Sequence, residues 1–143
     1  MPANSMKANL ILVALCLLAP ALLNADELHT PLSKEMESLS KNLRQLGRQV
    51  TDSSKRDSSL QLVLAVEKSA ATARTLVPAK AKEVPASDQA KFISDYQKQI
   101  DVLIGQLTKL EEATRAGNTD SANQILSSLR GIKREGHEKF SSE

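Results

Sequence analysis

Apolar residues return every three or four positions through most of the chain, in stretches separated by short polar breaks. No stretch shows the two-residue alternation of a strand, so the pattern predicts helices throughout. Thr30 followed by Pro31 reads as a helix start, a capping hydroxyl before a proline at the first helical position. From there Leu32, Met36, Leu39, Leu43, Leu46 and Val50 advance by alternating steps of four and three, the narrow seam of a bundle helix. The polar run TDSSKRDSS (51–59) breaks this seam, and a second helix is predicted from about Ser58 to Leu76. Its inner face carries Leu62, Val66, Ala70, Ala73 and Val77.

Pro78 and Pro85 then bracket the basic linker PAKAKEVP, which cannot be continuous helix. Ser87 is the expected cap of a third, longest helix, whose seam is Ile93, Tyr96, Ile100, Leu103, Leu107 and Leu110. Gly117-Asn118 ends it in a tight turn. A fourth helix is predicted from Thr119 to Phe140, with Ala122, Ile125, Leu129, Ile132, Gly136 and Phe140 inward. The short first and third connections force antiparallel neighbours. The fold class is therefore all-α, an antiparallel up-down-up-down four-helix bundle.

The first residues follow a different rule. MPANSMK carries one charge, Lys7, and precedes the apolar run LILVALCLLAPALL. That run is short for a membrane span and is interrupted by Pro20, and small Ala25 stands at its exit. This is the pattern of a secretory signal peptide, residues 1–25, cleaved after Ala25; an uncleaved anchor is the other reading. Lipidation at Cys16 is disfavoured because Leu15 stands where a small residue is required. The expected mature domain is residues 26–143, exported to the periplasm and left with no stable membrane anchor. It lacks cysteine, so neither a disulfide nor thioether attachment of a cofactor is open to it.

Charge and composition narrow the function further. With 19 Lys+Arg against 17 Asp+Glu and only two Phe, one Tyr and no Trp, nothing suggests nucleic-acid binding. So few rings also leave a domain of this size short of core mass. The sequence has no Gly-rich phosphate loop, zinc-type cluster, Ser-His-Asp spacing or Glu-x-x-His pair, and Glu111-Glu112 reads as solvent-facing.

What stands out is GIKREGHEKF (131–140), which places His137 in the last turn of the fourth helix, after Gly136. At about 100° per residue, His137 lies only about 20° from Leu126, and so borders the apolar seam. In this topology Met36, early in the first helix, faces the same end. Taken singly, Met36 reads as packing material and His137 as a surface residue favoured by the helix dipole.

The residues KEMESLSKNL, DYQKQIDVLIGQL and REGHEKF together resemble the cytochrome b-562 family, soluble periplasmic bundles that hold one non-covalent haem b. The resemblance spans nearly all of the expected mature chain. It implies axial iron ligation by Met36 and His137, with Leu39, Leu43, Tyr96 and Ile100 packed on the macrocycle. Lys133, Arg134 or Lys139 would then stand near the propionates. Two positions depart from the family: Ile100 is aliphatic and Gly136 lacks a ring, where aromatics are common. Met and His together fill both axial positions, so the resemblance implies a one-electron carrier that works with redox partner proteins and is not an enzyme. The competing reading is a haem-free helical module that binds partners, chaperone-like, through its surface.

Overall fold

The computed structural model describes residues 30–142, so the signal-peptide expectation, Cys16 and His29 lie outside the described residues. Four helices follow one another: α1 (Pro31–Gln49), α2 (Arg56–Arg74), α3 (Ala86–Arg115) and α4 (Thr119–Phe140). Short 3-10 turns at Ser53–Lys55 and Ala79–Glu83 interrupt the first two connections. No strand occurs among the described residues, and none of their helices is long and apolar enough to cross a membrane.

Local chemistry sets the helix ends. The Thr30 hydroxyl accepts from the Ser33 amide at 3.1 Å, and Pro31 occupies the first helical position, where an amide would have no partner. At the other end of the chain, the Asn118 side chain accepts from the Ser121 amide at 3.1 Å. Between α3 and α4, Gly117 adopts φ +70, its N–H donates to the Thr114 carbonyl (3.1 Å) and Asn118 N–H donates to Ala113 (2.9 Å). This is a Schellman closure, and the left-handed residue it needs is a glycine.

Two helix starts differ from expectation. Helix α3 starts at Ala86 with Pro85 at the cap, and the Ser87 hydroxyl donates to the Asp88 carboxylate instead of capping. The proline's fixed φ already leads into the helix, and the Pro85 carbonyl takes the Asp88 amide at 2.8 Å. Helix α2 begins two residues early, because Asp52 caps the preceding 3-10 turn and feeds the chain directly into Arg56.

Packing order follows chain order. α1 packs along α2, α2 along α3 and α3 along α4, whereas α4 and α1 touch sparsely. The core is aliphatic: Leu39, Leu46, Val63, Val66, Leu107, Leu110 and Leu129 are almost wholly buried. Val77 is a correction, since it lies beyond α2 and is 57% exposed, while Val63 is fully buried in its place. α2 touches two neighbours, so its buried face is wider than one seam and includes Ser59 and Ser69 as well. Those two serines hydrogen-bond toward α1, to Gln49 (3.2 Å) and Ser38 (3.4 Å). Glu111 is also a correction: it is half-buried and held by Arg115, while Glu112 is exposed.

Candidate functional site

Tyr96 on α3 donates its hydroxyl proton to the Ala73 carbonyl in the last turn of α2 at 2.7 Å. Its ring meets Phe140 of α4 edge-on at 5.5 Å, and Phe92 meets Phe140 at 5.3 Å. The Ser69–Ser38 contact ties the late part of α2 to the early part of α1. One end of the bundle therefore gathers the start of α1, the end of α2, the start of α3 and the end of α4. Both Met36 and His137 stand at this end, on the two neighbouring helices that pack most sparsely.

The seam between these helices opens into a groove of about 230 Å³. Leu43 of α1 and Leu126 of α4 give it an apolar floor, with Ser40 and Gly47 beside them. Arg44, Arg48, Arg130 and Lys133 complete its walls, and all four are exposed at the rim. Viewed down the axis at about 100° per residue, Met36 lies between Leu43 and Gly47 in angle, and His137 lies between Leu126 and Arg130. Each thus continues the groove's own stripe by one helical turn beyond Ser40 and Lys133 respectively. Met36 is half-buried against the core edge, and His137 is exposed.

The residues singled out from the sequence therefore separate into two groups. Met36, Leu43, Lys133 and His137 lie on the α1–α4 seam. Leu39, Tyr96 and Ile100 lie in the core behind it, 1%, 3% and 5% exposed. Burial pushes the Tyr96 phenol up to about 12. Of the basic residues near the end of α4, Lys139 pairs with Glu135 at 2.7 Å, and that hydrogen bond holds the Glu135 carboxyl below its usual range.

Arg44, Arg48 and Arg130 escaped the sequence reading. A signal was present: residues 38–51 and 121–134 carry six Lys/Arg and no Asp/Glu. The near-neutral total concealed it.

No curated protein and no solved structure matches the chain. The family model described as cytochrome b562 matches residues 31–141, nearly the whole of the described bundle. The chain belongs to the cytochrome b562 family, whose members are haem-binding electron-transfer cytochromes.

Proposed function

We propose that this protein is a periplasmic one-electron carrier that holds a single non-covalent haem b in the α1–α4 seam, with Met36 and His137 as axial ligands. The observation that carries the reading is the seam itself. The two neighbouring helices that pack most sparsely present a thioether and an imidazole at the same end, each in line with the wall of an open groove.

The residues present fit such a group in their chemistry. Leu43 and Leu126 offer apolar contact, buried Leu39 and Ile100 back the seam, and Lys133 stands one turn from His137 to pair a carboxylate. The groove is smaller than the ~300–1,000 Å³ of ordinary ligand pockets, so loading requires α1 and α4 to move apart. A bound haem would supply the reversible one-electron chemistry. Two protein donors leave no open position for substrate, and the thioether favours the reduced state. Tyr96 holds its ring between Phe140 and α2, fixing the end of the bundle from which both donors project.

The visible spectrum of the purified, haem-supplemented protein tests this. His137→Ala is expected to abolish specific haem binding, because a thioether alone is a weak ligand for ferric iron. Met36→Ala is expected to keep haem through His137, shift it from low toward high spin, lower its potential and admit carbon monoxide. His29→Ala is expected to change none of these. A native low-spin spectrum in His137→Ala would refute the ligand assignment, and indifference to both substitutions would leave a haem-free bundle. Export is read separately: the mature chain is expected to begin near Asp26, and periplasmic protein retaining Met1 by mass spectrometry would overturn it.

A further inference from the structure

The cations of the groove have no acidic counterpart in its walls. Arg44, Arg48, Arg130 and Lys133 converge from two helices, yet every Asp and Glu is absent from residues 38–51 and 121–134. Of the chain's 19 Lys+Arg, six lie in these two segments, leaving 13 against all 17 Asp+Glu elsewhere. The formal net charge of +2 thus conceals a local run of six cations with no acid among them in these two segments. None of the ion pairs between described residues, such as Arg74–Asp101 or Arg115–Glu111, involves these four side chains. Arg130 instead reaches across to α1, where a Cβ at Gly47 would stand 3.1 Å from its Nη2. Like charges gathered without partners oppose the packing of the helices that carry them, so the arrangement calls for an anion from outside the chain.

We propose that the exposed arginine rim of the α1–α4 groove, Arg44, Arg48 and Arg130, which the haem reading leaves without a partner, is the landing surface for an acidic patch on the protein with which this cytochrome exchanges electrons. This rests on the haem reading above, since Lys133 stands one turn from His137 and docking there would bring a partner against that edge of the bundle. A protein surface suits the site better than a lipid surface. Basic helices that lie on membranes also insert large apolar side chains. Among the described residues, the exposed large hydrophobics are Leu64, Val77 and Val102, and none of these is on α1 or α4. Electrostatic docking of this kind accelerates encounter and is weakened by salt.

Two measurements on the haem-loaded protein test the proposal. In the first, hexaglutamate peptide is titrated at low ionic strength and amide NMR shifts are followed. Shifts are expected to cluster in residues 40–48 and 126–133 and to vanish at high salt. Arg44→Glu/Arg48→Glu should weaken binding by about tenfold or more, and Lys68→Glu/Lys109→Glu on α2 and α3 should not. In the second, the reduced protein is oxidised by ferricyanide, a trianion, or by tris(phenanthroline)cobalt(III), a trication. The α1 double variant should slow the first reaction by about tenfold and speed the second. Shifts spread over all faces, equal loss in the control variant, or an unchanged ratio of oxidation rates each overturn the proposal. So does co-sedimentation with anionic phosphatidylglycerol vesicles in the absence of peptide binding, which would assign the groove to a membrane surface. Failure of the haem reading is distinct: the samples would lack the haem spectrum while peptide shifts in the groove persisted.

Discussion

Replacing Tyr96 by Phe removes one hydroxyl from a wholly protein-lined position, and its effect on stability should reverse sign with pH. The phenol donates to the Ala73 carbonyl at 2.7 Å, in the last turn of α2, where helix carbonyls lack intrahelical partners. The Leu76 amide also reaches that carbonyl at 3.1 Å, so the variant leaves it partly satisfied, and the loss at neutral pH should be about 1 kcal/mol. The ring stays edge-on to Phe140, so packing is retained. In the native protein burial raises the phenol to about 12, while the unfolded chain ionises near 10. A folded value above the unfolded one means stability that is fully present below pH 10 and lost as pH rises toward 12. Two units correspond to about 2.7 kcal/mol, and the first unit alone outweighs the hydrogen bond. Wild type should therefore be the more stable protein at pH 8, the two should cross between about pH 10 and 11, and the variant should be the more stable near pH 12. Urea denaturation of both proteins at matched pH isolates the effect, because the lysines titrate alike in each. A difference that stays constant from pH 8 to 12 would show that the phenol is not desolvated and would refute the reasoning.

Leu107→Ala, at a fully buried position in the second half of α3, should cost about 2–5 kcal/mol by urea denaturation, whereas Val102→Ala, 52% exposed on the same helix, should stay within about 0.5 kcal/mol. Gly131→Ala meets nothing within 4 Å of the new Cβ and should stabilise α4 by about 0.5–1 kcal/mol, seen as a higher melting temperature. Gly117→Ala, by contrast, forces a side chain into φ +70 and should lose about 1–2 kcal/mol. Glu67 is raised by burial first and by neighbouring Glu111 second, so its charge opposes folding at neutral pH; Glu67→Gln should therefore gain up to about 0.5 kcal/mol at pH 7 and nothing below its unfolded value, and an equal gain at pH 3 would refute the electrostatic cause.

The seam of α1 was legible because Leu39, Leu43, Leu46 and Val50 form one narrow stripe, and all four are buried. The same held for the α3 stripe from Tyr96 to Leu110 and for the limits of α4. α2 was less legible because it is clasped on two sides. A single-stripe reading chose Val77 and passed over Val63, although three- and four-residue steps include both. The Ser87 cap failed for a different reason: the preference for a hydroxyl at a helix start yielded to a proline that already sets the entry angle. For the site, angle was readable and closure was not. Periodicity placed His137 beside Leu126 on one flank of α4, but only the packing shows that this flank faces the open seam and leaves the imidazole exposed.

That openness has a physical origin in the chain itself. Each of the first three helix pairs is closed by consecutive chain, and each has a polar tie: Gln49 to Ser59, Tyr96 to Ala73, Gln99 to the Ile132 carbonyl. The fourth pair, α4 on α1, has no connecting loop to hold it. Its facing walls set Arg44 and Arg48 against Arg130 and Lys133, and small Gly47 supplies no apolar mass to offset their repulsion. Three sides of the bundle are thus closed by the chain's own hydrogen bonds and aliphatic contacts, while the fourth is held back by its charge. A ligand that brings apolar surface to Leu43 and Leu126 and negative charge to the rim supplies what this side lacks. A ligand held there by the native state alone would raise the stability of the fold by about 2.7 kcal/mol at a hundredfold excess over Kd.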